Sequence, residues 1–427
     1  MLNRFMACSL FLFVFFLLVH SFYIFSGVNS SLFVPFILVL GILPVLVFRP
    51  YVVFGVVNSK VVGMLIALVV MGIISLVPVV AHGTVDYTYA KNFLSHFIQF
   101  LIVLFFLIVI LSNKLFGIRS ISDIQRALVL VFVMQSCVQI AAFLSPSFAT
   151  LVHIFYESRV VELLYSNYGG GRGLALTGAP GWGLSVGYGL AFIFYVKEYL
   201  IENSRYGAST FFVGILILSG MLFAGRSAFL GVILGGLYYM LYLDTRRVVF
   251  LFKSVTYIFC LSITVMILFP NYIDRVQDII IPFVFEAYIR YLDTGTVQTG
   301  STNKLIEMWK VPVNYDEFVF GTGNMLSENG NGYFRNTDVG YLRNVLYGGV
   351  FWTAALYCYF LYIGGFLRSW MSRDFDSVFY LFVFIYIFIL EAKAMTVGYN
   401  KYLFTMIMVF CVSKIYFSTR TSVEESK

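Results

Sequence analysis

Residues 93–112 read FLSHFIQFLIVLFFLIVILS, twenty positions with no Asp, Glu, Lys or Arg. A helix of that length rises about 30 Å, the thickness of the hydrocarbon layer of a bilayer. Runs of this kind recur along the 427 residues, of which 60% are hydrophobic and 11% charged. Mean hydropathy is +0.89, whereas a soluble domain has an apolar share nearer half. A β-barrel would show alternating segments of about 10 residues, and the sequence has none of that pattern. It predicts an all-α integral membrane protein.

Twelve spans are expected, at about 5–25, 31–48, 61–81, 93–112, 127–144, 183–200, 209–224, 227–243, 248–269, 345–366, 377–391 and 402–417. The first follows Arg4 and exceeds the roughly 7–15-residue apolar core of a signal peptide. No small-x-small cleavage site follows it, so it reads as a retained span. Lys and Arg in short loops set the orientation. With the N-terminus inside, every inner connection carries one or more of them, from RPYVVFGVVNSK to the tail STRTSVEESK. Both termini then lie in the cytoplasm, and the two long polar segments, 145–182 and 270–342, lie outside. The expected divisions are 1–269 with spans 1–9, the outer loop 270–342, and 343–427 with spans 10–12 and the tail. Within the long loop, YIDRVQDIIIPFVFEAYIRYL (272–292) has the mixture expected of a helix lying on the membrane surface, and KLIEMWK (304–310) that of a short helix.

The net charge of +7 comes from residues scattered over short loops, which speaks against a nucleic-acid partner. All five cysteines lie in apolar runs without CxxC spacing, and the four histidines form no HExxH. Neither a disulfide framework nor a zinc site is expected. No cofactor is expected either.

Charges on the outer face stand out because the spans nearly lack them. YSNYGGGRGLALTGAPGWG (165–183) surrounds Arg172 with glycines and places no acid within nine residues of it. Arg226 interrupts SGMLFAGRSAFLGVILGG between two spans, and an ionisable group at that depth is a candidate functional residue. Arg275, Arg290, Arg335 and Arg343 belong to the long loop or its end. Their planar forks match phosphate oxygens, and pairing with nearby acids or lipid headgroups is the competing reading. Asp338 stands just before a span, where it can cap the helix or act as a base; Glu328 is the reserve acid. Trp182, Tyr333 and Tyr341 suit stacking on sugar faces as well as interfacial anchoring. The first outer loop, SGVNSS, carries no acid and the expected outer segments have no DxD, so leaving-group charge would fall to arginine without a metal.

These features together resemble the O-antigen polymerase family, related to the O-antigen ligases. The resemblance rests on GGGRG (169–173), AGRSAFLG (224–231), GTGN (321–324) and TDVGYLRNVLYGG (337–349), in this order along most of the chain. In the ligase branch the position of Asp338 looks like a histidine, which favours the polymerase. The resemblance implies a large membrane glycosyltransferase (GT-C-like) fold in the bacterial inner membrane, with the outer loops 145–182 and 270–342 in the periplasm. It implies undecaprenyl-pyrophosphate-linked oligosaccharides as substrates, membrane lipids around them, and a polysaccharide chain-length regulator as a candidate partner. Carried onto this chain, it makes Arg172, Arg226 and Asp338 catalytic. The two arginines, helped by Arg275, Arg290 or Arg335, would hold the donor pyrophosphate, and Asp338 would take the proton of the acceptor hydroxyl. An O-antigen ligase, a capsule or exopolysaccharide polymerase, and a lipid-linked oligosaccharide flippase are the alternatives.

Overall fold

The computed structural model describes residues 2–25, 28–31, 33–34, 50–156, 173–202, 207–268, 286–327, 332–366 and 376–425. The fold is mostly helical. From the N-terminus run α1 (Leu2–His20), α2 (Pro50–Val56), α3 (Ser59–Ile74), α4 (Val77–His82), α5 (Thr88–Ser112), α6 (Ile121–Leu144) and α7 (Pro146–His153). Then come α8 (Trp182–Tyr195), α9 (Ala208–Ala224), α10 (Phe229–Met240), α11 (Thr245–Leu268), α12 (Glu286–Thr294), α13 (Gly300–Trp309) and α14 (Tyr315–Phe320). The chain closes with α15 (Gly340–Ile363), α16 (Asp376–Glu391) and α17 (Lys401–Glu425). A two-stranded antiparallel hairpin, β1 (Tyr23–Phe25) with β2 (Val28–Asn29), occupies the first connection, where only a turn was expected.

Among the described residues six helices are long and apolar enough to cross a membrane: Ser59–His82, Thr88–Ser112, Ile121–Leu144, Trp182–Ile201, Gly340–Ile363 and Lys401–Thr419. The chain is therefore a multi-pass membrane protein. The expected total of twelve is not reached in these residues, for separate reasons. The run 31–48 lies mostly outside them. Helices α9, α10 and α16, of 17, 12 and 16 residues, fall short of the roughly 20 that a span needs, and the side chains of residues 2–5, at the start of the 19-residue α1, lie outside the described ones. Helix α11 is long enough, but the side chains of residues 260–268, the second half of its apolar run, lie outside the described ones.

The chain divides into two compact units, one of residues 1–131 with 305–427 and the other of 132–304. In the first unit α5 is central, packed on α2, α3, α17 and α1. Two of its polar side chains pack inside the unit, whereas Asn92 Nδ2 is buried without a hydrogen-bond partner among the described residues. His96 stacks on Phe404 with centroids 4.2 Å apart, and Gln99 donates to Leu18 O at 3.3 Å and Thr405 Oγ1 at 3.1 Å. The Gln99 hydrogen bonds replace those that water cannot supply there. In the second unit α8, almost wholly buried, packs on α9 and α10. The approach of α10 is backbone to backbone, since a Cβ on Gly231 would stand 2.3 Å from Gly189 O. Small residues permit this closeness between helices in lipid. At its end α8 widens into a π-helical turn, Val196–Ile201.

Two spans of the first unit, expected to be continuous, are broken. The segment 59–82 is interrupted at Ser75–Leu76, ahead of Pro78. Helix α15 is interrupted at Gly348 (φ −136°, ψ 17°) and Gly349 (φ 71°, ψ −171°). The breaks meet: Tyr347 OH donates to Ser75 O at 2.6 Å. The carbonyls freed in α15 are taken up by the loop after α14, where Thr322 N donates to Leu346 O at 2.7 Å and Gly323 N to Tyr347 O at 2.8 Å. GTGN and the GG pair of the last motif are thus two halves of one joint.

Candidate functional site

The site is built at the N-terminal end of α15 by the loop that leads into it. Asn314 caps α14 through a reciprocal capping box with Glu317. The carboxylate of Glu317 then receives the fork of Arg335, Nη1 to Oε2 at 3.0 Å and Nη2 to Oε1, and Arg335 Nη1 also reaches Pro312 O. This grip holds Arg335 (φ 53°) and Asn336 (φ 54°) in left-handed conformations. Each is uncommon for a residue with a side chain and costs on the order of 1–3 kcal/mol. Buried Thr337 follows, its Oγ1 donating to Met308 O at 3.3 Å. A second clamp comes from the loop before α5. Asp86 Oδ2 accepts from the N–H groups of Met325 and Leu326, both at 2.7 Å, and Thr84 Oγ1 donates to Gly323 O at 2.8 Å.

Next come the two groups that matter most. Asp338 is half-buried, and its carboxylate makes no hydrogen bond or ion pair among the described residues. The expected capping role is absent, because the N-cap of α15 is Val339 and no side chain caps the helix. Its first turn therefore keeps the partial positive charge that favours an anion. Arg343 lies one turn into the helix and is only 4% exposed. Its guanidinium sits over the ring of Tyr333 at 3.4 Å and 5.9 Å from that of Tyr399. Neither Nε nor Nη2 has a hydrogen-bond partner. These two nitrogens form the side edge of the guanidinium, whose parallel N–H groups grip two oxygens of a carboxylate or phosphate. Burial pushes the Tyr399 phenol above its ordinary pKa, with the nearby Arg343 charge opposing.

The energetics single out Arg343. Removing an ion from water costs several kcal/mol, while a desolvated cation–π contact returns about 2. Two charged hydrogen bonds of about 1.5–3 kcal/mol each are left to be made. Arg343 thus keeps two unmet donors on one edge of a buried guanidinium.

Compared with known proteins, the chain matches no family model, no curated protein and no solved structure.

The other expected site residues fall out differently. Arg335 is committed to Glu317. Tyr341 donates its hydroxyl to Phe388 O at 2.8 Å and packs among Trp309 and Tyr357. Arg226, at the turn Arg226–Ala228 of the second unit, pairs with Glu286 and reaches Ser301 Oγ at 3.4 Å. Arg290, also there, donates to Gln298 O at 3.1 Å across its own loop. Trp182 opens α8 in the same unit. Arg172, Arg275 and Glu328 lie outside the described residues.

Sequence reasoning missed Glu317, Asp86, Asn344 and Glu391. Buried Asn344 donates to Glu391 Oε1 at 2.9 Å and accepts from Tyr89 OH. The available signal was their isolation: Asp86 and Glu391 are lone acids beside long apolar runs.

Proposed function

We propose that this chain is a polysaccharide polymerase of the O-antigen type, acting on undecaprenyl-pyrophosphate-linked oligosaccharide repeat units at the periplasmic face of a bacterial inner membrane. The architecture of about twelve spans in a GT-C-like fold belongs to this proposal. The observation that carries it is the buried side edge of Arg343, beside the uncapped start of a span and an unengaged carboxylate. A lipid pyrophosphate supplies the oxyanion that this edge fits. Asp338 then takes the proton of an acceptor hydroxyl on the incoming unit, and that oxygen attacks the anomeric carbon of the growing chain. The bond from that carbon to the phosphate oxygen breaks, and the electron pair leaves on undecaprenyl pyrophosphate, which Arg343 stabilises. Arg335 acts by fixing the backbone ahead of Asp338. No step is routed through Arg172 or Arg226.

The test is polymerisation of lipid-linked repeat units by purified protein with chelator present. Wild type is expected to give a ladder of chain lengths. Arg343→Ala should slow it by roughly 10²–10³, as loss of an oxyanion donor does, and Asp338→Asn by about 10²–10⁴. Normal ladders from both variants overturn the assignment.

A lipid-linked oligosaccharide flippase is the second reading, favoured by the two broken spans that meet at Ser75 and Tyr347, since transporters build substrate sites from discontinuous helices. Deletion separates the two. Loss of a polymerase leaves single repeat units on the surface, and loss of a flippase leaves none.

A further inference from the structure

One buried carboxylate has no part in the chemistry above. Glu391, the last residue of α16, is 0% exposed. Its Oε1 accepts from two side chains of α15, Asn344 Nδ2 at 2.9 Å and Tyr357 OH at 3.4 Å. Its Oε2 accepts from the backbone N–H groups of Thr396 at 2.7 Å and Val397 at 2.9 Å. One side chain therefore ties a helix to the loop that leads into α17.

Those two elements carry the surroundings of Arg343. Asn344 is its neighbour in α15, and the same loop continues to Tyr399, whose ring lies 5.9 Å from the guanidinium. The helix is gripped at two points one turn apart, on one face. Asn344 is held by the hydrogen bond, with its amide orientation fixed because its Oδ1 accepts from Tyr89 OH. Gly340 is held by contact, for a Cβ there would stand 2.5 Å from Glu391 Oε1 and 2.9 Å from Glu391 O. Four donors occupy the carboxylate, matching the roughly four lone-pair sites it offers. Glu391 is thereby used up locally. It forms no ion pair with Arg343, and the side edge of the guanidinium keeps its unmet donors.

We propose that Glu391 is a positioning residue: its carboxylate joins α15 to the 392–400 loop, so that Arg343 is held ready for a two-oxygen phosphate and is not neutralised by the nearest buried acid. This rests on the reading of Arg343 as the ligand of a lipid pyrophosphate.

Binding of undecaprenyl pyrophosphate to the full-length protein in phosphatidylcholine nanodiscs tests it. Glu391→Gln keeps the size of the side chain but replaces one acceptor oxygen by a donor, so the loop or the helix is released. It should weaken binding about tenfold or more, and so should Arg343→Ala. The double variant should bind no more weakly than Arg343→Ala alone, because a residue that acts through another has no effect once that other is gone. Gly340→Ala should weaken binding in the same direction while keeping good helix propensity, and it carries the test should Glu391→Gln fail to fold. Wild-type affinity in Glu391→Gln and Gly340→Ala, or losses that multiply in the double variant, would overturn the proposal. Absence of binding by wild type would instead overturn the functional reading on which it stands.

Discussion

At the scale of single residues, the two arginines flanking Asp338 have opposite fates. Arg335 spends its fork on Glu317 and Pro312 O, whereas Arg343 is buried with Nε and Nη2 unmet. The two should therefore respond oppositely to substitution. Arg343→Met removes a buried, poorly satisfied charge, and replacement of such groups by apolar ones is often neutral or stabilising by about 1–4 kcal/mol. We expect the thermal midpoint of the ligand-free protein to hold or rise while polymerisation is lost, the signature of a functional group kept at the expense of stability. Arg335→Lys keeps the charge but not the planar fork, and should lower stability by roughly 1–3 kcal/mol. Differential scanning calorimetry in detergent reads both. A lowered midpoint for Arg343→Met would mean that Arg343 is structural. The sequence picked out the arginines of the expected outer segments, but not which of them is already paired. Glu317 lies 18 positions from Arg335, and only the capping box of α14 turns its carboxylate toward that partner.

At the scale of elements, the joint between the 321–323 loop and the broken helix α15 explains two short motifs. Gly349 takes φ 71°, ψ −171°, a region essentially closed to other residues, and occupying it otherwise costs on the order of 1–3 kcal/mol. A Cβ there would also stand 2.1 Å from Val319 O. Gly349→Ala should therefore abolish accumulation of folded protein or lower its midpoint by several degrees. Gly236, whose Cβ would meet nothing within 4 Å, should accept Ala without loss. Comparison of the two by fluorescence-detected size exclusion checks this. Equal behaviour would remove the joint from the account of the fold. Apolar runs made the helices legible. The breaks were not, because Ser75 and the GG pair sit within runs whose hydropathy does not change, and the partners that stabilise the breaks are distant in sequence.

At the scale of the whole molecule, helix α5 provides the test of orientation. Its 25 residues rise about 37 Å, with the Asp86 clamp just before one end and Asn113 at the other. In the proposed orientation, argued from charge in the short loops, Asn113 faces the cytoplasm. A membrane-impermeant maleimide should thus label Tyr315→Cys, at a position 78% exposed, in intact cells, and label Leu115→Cys, at a position 50% exposed, only after permeabilisation. The reverse pattern would invert the topology. Membrane class was legible from composition alone. The number of spans was less so, because a hydropathy run does not reveal where a helix ends early, as α9 and α10 do. The shared joint also bears on biogenesis. Thr322 and Gly323 are synthesised before Leu346 and Tyr347, the carbonyls they serve. In the proposed orientation this stretch is exported and must wait for its own downstream helix to enter the bilayer before its backbone can settle. Truncation before residue 340 should therefore leave the upstream helices inserted but the outer loop accessible to protease.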